Sequence, residues 1–168
     1  MWRIVIAAAA LASVCGGVTR AQTPGDREAA QRFVGAWHLV SWTERLADRT
    51  TRPAATDVGY LMFTDGNRMC AVLASSKRAP WTGPARTIEE ATARTTGFVS
   101  YCAQFEVHAV EGFVKYTEDL DLNPRTVGIV RKRWFTFDGP DRLKLTIDPA
   151  ERGTLQDSSL IWERARAK

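Results

Sequence analysis

YCAQFEVHAVEGFVKYTEDLDLNPRTVGIVRKRWFTF, residues 101–137, contains three runs of strict alternation broken at Glu111-Gly112 and at Asn123-Pro124. A period of two sends successive side chains to opposite faces of a strand, so the stretch predicts three antiparallel strands at 101–109, 113–122 and 126–137. On the third, one face carries Val127, Ile129, Arg131, Arg133, Phe135 and Phe137, and the other Gly128, Val130, Lys132, Trp134 and Thr136. Two arginines on an apolar face need partners if that face is interior, because an unpaired buried charge is costly. The partner is either a carboxylate of a neighbouring strand (Glu106, Glu118 or Asp119) or an acidic ligand.

Outward from this stretch the pattern repeats. Strands are predicted at 36–44, 58–64, 68–74, 142–147 and 154–164, with Asp65-Gly66-Asn67 and Asp138-Gly139-Pro140-Asp141 as turns and a polar turn around Pro53. Residues 26–33 suit a short helix, 75–86 carry two prolines and a glycine, and Thr87 with Glu90 forms a capping box that starts a second helix between strands three and four. That helix is placed to cover an open end of the sheet. Eight mostly consecutive antiparallel strands are satisfied by a closed up-and-down barrel, which abolishes exposed edges and leaves room for one small ligand. A sandwich is the alternative.

The amino terminus has a different character. Arg3, the apolar run 4–14 and Thr19-Arg20-Ala21 have the layout of a secretory signal peptide, with cleavage after Ala21 and a single domain at 22–168. The run falls short of the ~20 residues of a membrane-spanning helix, so the mature form is expected to have no integral membrane segment and to be periplasmic or secreted. Cys15 raises lipidation, but Val14 before it is bulky for a lipidation site. Without Arg3 and Arg20 the formal charge falls from +4 to +2, which calls for no nucleic acid or anionic membrane. Cys70 and Cys102 then remain, either as one disulfide, worth roughly 3 kcal/mol by loop closure, or as two buried thiols.

Gly35-Ala36-Trp37 after a short helix, Gly59-Tyr60-Leu61-Met62-Phe63 before an Asp-Gly turn, Tyr101 to Val107, Leu122-Asn123-Pro124 with Val127-Gly128, and Leu160-Ile161-Trp162-Glu163-Arg164 occur in this order. Together they resemble the bacterial lipocalin-like domain family over essentially the whole of 22–168. The resemblance implies an all-β calycin-type barrel of eight antiparallel strands with a small-molecule cavity. It also implies that Trp37, introduced by Gly35, packs at the closed end against an arginine of the last strand, Arg164 first and Arg166 second. The chain departs from the family pattern at Tyr116-Thr117, where histidine is frequent, and at Thr126, where tryptophan is.

Arg131, Arg133, Phe135, Tyr101, Phe105, Tyr60 and Met62 are the candidate ligand contacts, the arginines as bidentate anchors for an anionic headgroup and the rest as apolar lining. An enzyme of isomerase, cyclase or hydratase type is the competing class, with Tyr101, Tyr116 or His108 as acid or base. A filled structural barrel of the envelope is the third. Two distant histidines, His38 and His108, and two cysteines lack metal-ligand spacing, and neither phosphate loop nor dinucleotide fingerprint occurs, so no metal or cofactor is expected. Of Glu118, Asp119 and Asp121, simple alternation puts only the two aspartates on one face.

Overall fold

In the computed structural model residues 22–78 and 87–166 are described; residues 1–21, where a signal peptide was expected, and 79–86, within the expected loop 75–86, lie outside the described residues. Helix α1 (Pro24–Phe33) leads into β1 (Gly35–Arg45), β2 (Thr51–Pro53), β3 (Val58–Phe63) and β4 (Arg68–Ala74); α2 (Ile88–Thr95) follows, then β5 (Phe98–His108), β6 (Phe113–Asp121), β7 (Val130–Asp138), β8 (Arg142–Ile147) and β9 (Asp157–Arg164). Each strand from β3 onward pairs antiparallel with the next, and β1 pairs with both β3 and β9, from Trp37↔Arg164 to Arg45↔Asp157. The result is a closed eight-stranded antiparallel barrel. β2 stands outside that count: it pairs only with Thr43, Glu44 and Arg45, where a turn around Pro53 was expected. A three-residue edge carrying Arg52 and Pro53 offers little for another chain to pair with.

Three boundaries shift by three residues or more from the expectation: β5 begins at Phe98, where 101 was expected. The strand expected at 126–137 begins at Val130, because Asn123 caps a 3-10 turn at Pro124–Thr126 and Gly128, at φ +86°, turns the chain in a left-handed conformation. Val127 and Ile129 are therefore exposed and precede the strand. The last strand begins at Asp157, after a 3-10 turn at Pro149–Glu151 that Asp148 caps.

The lower half of the barrel is filled. Thr23 and Asp26 close a capping box, and Asp26 also accepts from the Ala109 N–H at 2.8 Å, so the start of α1 is tied to the end of β5. Phe33, at the far end of α1, is fully buried, with its ring 5.2 Å from Phe63, 5.1 Å from Phe135 and 4.9 Å from Phe137. Burying a side chain of this size contributes about 2–3 kcal/mol. Beneath it Trp37 donates to the Phe33 carbonyl at 2.7 Å, and the Arg164 guanidinium lies 4.2 Å from the Trp37 ring. Arg164 also donates to the carbonyls of Val34, Arg32 and Pro140. Gly35 is what this close approach requires: a Cβ there would come within 2.8 Å of Arg164 Nη1.

Two β-bulges decide which residues face inward in the upper half. In β1 the register with β9 slips between Leu39 and Ser41, so Trp42 turns inward where alternation from Trp37 would place it outside. In β6 the register with β5 slips between Cys102 and Ala103, leaving Asp119 as the extra residue. Glu118, in step with Tyr116, faces inward ahead of the slip, Asp121 faces inward because of it, and Asp119 lies outside and pairs with Arg68.

Candidate functional site

Above the phenylalanine plug the interior opens into a cavity of about 270 Å³. Trp42, Leu61, Leu73, Val99, Leu145, Ile147 and Leu160 supply its apolar wall, and Tyr101, Tyr116, Trp162, Asp121, Arg131, Arg133 and Glu151 its polar groups. Toward the rim it adjoins a surface groove between β5 and the 3-10 turn after β6, reached by Thr95 at the end of α2 and sharing Val99, Asp121 and Arg131 with the cavity.

Arg131 and Arg133 are two apart on β7 and therefore project from one face, as the alternation predicts. Their partners are carboxylates of the protein. Arg131 Nε is hydrogen-bonded to Glu118, whose side chain is fully buried, and Arg131 Nη1 lies 3.7 Å from Glu151. Arg133 Nη1 donates to Glu151 Oε2 at 2.8 Å, and the other Glu151 oxygen accepts from the Lys132 backbone N–H. The 3-10 turn that carries Glu151 is thereby pinned over β7. Asp121, at the rim, accepts from the Asn123 N–H at 2.6 Å.

The phenols lie among these charges. Burial raises the Tyr101 pKa above its ordinary value, and the nearby Arg133 and Arg131 only partly oppose this. Tyr116, directly opposite Arg131 in the β6–β7 ladder, is also raised, by burial first and by Tyr101 second. Both are protonated donors at neutral pH. Burial alone would lower the Arg131 pKa, but the hydrogen bond and charge of Glu118 outweigh it and the net shift is upward. Three buried polar atoms near the cavity, Tyr116 Oη, Trp162 Nε1 and Glu118 Oε2, find no hydrogen-bond partner among the described residues.

Of the candidate ligand contacts, Arg131, Arg133 and Tyr101 meet in the cavity and the others do not. Tyr60 and Met62 point out of the barrel from β3, where Leu61 and Phe63 take the inward positions. Phe105 and Phe135 face inward but belong to the plug under the cavity, packed on Phe33. His108 is outside it too: its ring stacks on Phe113 at 4.3 Å and its Nε2 lies 3.2 Å from Glu106, on the outer surface. Cys70 and Cys102, directly opposite each other on β4 and β5, form a disulfide on the outer face. Among the described residues no group of acidic, histidine or cysteine side chains is placed to hold a metal ion.

Trp42, Asp121, Glu151 and Trp162 complete the site and were not expected there. The first two are brought in by the bulges, and Glu151 comes from a loop, where periodicity says nothing. Trp162 alone had a signal: it stands two residues before Arg164 and so shares its inward face.

Comparison with known proteins agrees with this architecture. Curated proteins give no match. Among solved structures, a redesigned beta barrel, b11L5F_LGL, shares 12% identity over 82% of this chain and 96% of its own, with a TM-score of 0.40. EF1p2_mFAP2b bound to DFHBI shares 17% identity over 83% of this chain and 99% of its own, with a TM-score of 0.42. At such scores neither bears on the site. The family model of the lipocalin-like domain matches residues 34–165, from the strand that carries Trp37 to the one that carries Arg164, and the chain belongs to that lipocalin-like domain family.

Proposed function

We propose that this chain is an exported binding protein that holds a small, largely apolar molecule in the upper half of its barrel. The observation that carries the reading is the cavity itself: about 270 Å³ walled mainly by aliphatic and aromatic side chains, with polar groups set among them. A structural barrel would have this space filled, as the lower half is. Export rests on the leader pattern of residues 1–21 and is supported by the Cys70–Cys102 disulfide, a bond that persists in oxidising compartments.

An anionic headgroup clamp on Arg131 and Arg133 is disfavoured, since Glu118 and Glu151 already occupy both guanidinium groups. Catalysis of the isomerase, cyclase or hydratase kind needs an acid and a base that converge on the substrate. Here the phenols are protonated and the two glutamates are engaged by arginines, so binding is the better reading.

Native mass spectrometry of protein purified from its own cell envelope tests it. A co-purifying small molecule, lost from a Leu160→Trp variant whose added ring fills the cavity, is the expected result. An empty wild-type protein that binds no lipophile in solution overturns the reading. Sequencing of the mature amino terminus is expected to begin at Gln22; an uncleaved chain starting at Met1 overturns export.

A further inference from the structure

We propose that this chain associates with a second copy of itself through the outer face of β3–β6, as a weak two-fold dimer. The inference does not depend on what the cavity holds.

The strand registers assemble the face. Tyr60 stands beside Val72, and Val72 beside Ser100. In the row below, Met62 stands beside Cys70, Cys70 beside Cys102, and Cys102 beside Leu120. The Leu122 N–H donates to the Ser100 carbonyl and so extends the upper row. None of these side chains is charged, although the outward positions of an antiparallel wall that meets water are ordinarily polar. The wall formed by β7–β9 follows that rule, with Lys132, Asp138, Arg142, Lys144 and Glu163 turned outward. A contiguous apolar patch bordered by polar residues marks a surface that meets a partner.

Relief and charge identify the partner. Tyr60 is 53% exposed, Met62 44%, Leu120 65% and Leu122 46%, whereas Cys70, Val72, Ser100 and Cys102 between them are short and half-buried. β3 and the end of β6 therefore form two apolar ridges, with β4 and β5 as a shallow floor. The ridges are three strand spacings apart, ~14 Å, which leaves room for one further row of side chains. A second copy turned by half a revolution lays its own β3 ridge on this floor and receives the first copy's ridge on its own, the interdigitation by which sheet faces pack. A two-fold axis also sets any charge close to it against its own copy, a repulsion that this face avoids and the β7–β9 wall does not. At the lower border Arg68 is paired with Asp119, so that border offers a balanced pair and no surplus of cations for an anionic lipid surface.

Area sets the strength. Four strands at ~4.8 Å and six residues at ~3.4 Å give a footprint of about 400 Å² in plan. A standard stable interface covers about 800 Å² of accessible surface per partner, so this dimer is transient, with a dissociation constant on the order of 100 µM. Closure of the barrel leaves β3–β6 no free strand edge, and side chains alone make the contact.

Sedimentation equilibrium of the protein purified from its cell envelope, over roughly 10 µM to 1 mM, is expected to show the mass rise from one chain toward two. Met62 supplies a local readout, because Met69 is buried. Its oxidation by hydrogen peroxide is expected to slow severalfold at the concentrated end. Tyr60→Lys and Leu120→Lys each place a charge on an exposed position of the face. Both are expected to keep the wild-type melting curve and to weaken association at least tenfold, while Lys144→Glu on the opposite wall leaves it unchanged. A wild-type chain that is monomeric at every concentration overturns the proposal. If that monomer floats with phosphatidylglycerol vesicles and Leu120→Lys abolishes flotation, the face belongs to a lipid surface instead. A dimer that persists in both lysine variants, or that forms without protecting Met62, makes its contact elsewhere and overturns the assignment of this face.

Discussion

Glu118 is a carboxylate shut off from solvent and held by one arginine, an arrangement in which losing either partner costs far more than the pair contributes. Arg131→Met is therefore expected to destabilise the fold by about 3–5 kcal/mol, because it strands a buried charge. The double variant Glu118→Gln with Arg131→Met is expected to recover a good part of that, as read from urea midpoints; equal losses in the single and the double variant would refute the pairing. The buried phenols set the alkaline limit. Tyr101 and Tyr116 have pKa values raised in the fold above the ordinary 10.0. Above that pH the unfolded chain releases protons that the folded one retains. Stability that is complete below about pH 10 therefore falls as pH rises further. In a Tyr60→Phe background the phenolate absorbance is expected to appear together with loss of tertiary circular dichroism. A phenolate signal that grows in while the fold is intact would contradict the burial of these two rings.

At the scale of elements, α1 is the plug and Asp26 its fastening. The residue completes the capping box through Thr23 and reaches across to the Ala109 N–H, two functions that separate by mutation. Thr23→Ala removes only a cap and is expected to cost about 1 kcal/mol. Asp26→Ala leaves the Ala109 donor without this acceptor and is expected to cost about 2–3 kcal/mol. Amide exchange adds a local readout, with Ala109 faster in the Asp26 variant and unchanged in the Thr23 variant. The bulges are the elements that create the site. By adding one residue to β1 and one to β6 they reverse the inward set partway along each strand. The lower half keeps its plug of aromatic rings, and the upper half gains Trp42 and Asp121.

For the whole molecule, closure between β1 and β9 is the property that matters, and Arg164 fastens it there. Arg164 joins the last strand to the carbonyls of Arg32, Val34 and Pro140 while it lies on Trp37. Lysine keeps the charge but lacks the planar fork, so Arg164→Lys is expected to cost about 2 kcal/mol and lower the melting temperature. A variant as stable as the wild type would show that the staple is dispensable. The disulfide joins residues 32 apart in sequence, and its reduction is expected to remove roughly 3 kcal/mol by releasing that loop in the unfolded chain. Because it lies on the outer face, ligand binding is expected to survive its reduction at temperatures where the fold persists.

The eight barrel strands, the capping box of the second helix, the inward face of Arg131 and Arg133 and the Gly35-Trp37-Arg164 series were all legible in the sequence, since each depends on local periodicity or on residues a few places apart. Periodicity fixes a strand's two faces only while its register is unbroken. Tyr60 and Met62, expected inside, face solvent because Leu61 and Phe63, which alternate with them on β3, take the core positions. In the acidic run, which reads as a solvated surface, Glu118 faces inward in step with Tyr116, and the bulge in β6 then brings Asp121 to the cavity rim. Sequence alone determined the barrel and the side from which its arginines enter. Whether those arginines wait for a ligand or are already neutralised was decided by the tertiary structure, because Glu118 meets Arg131 only once β6 and β7 pair, and Glu151 comes from a loop that has no period to read.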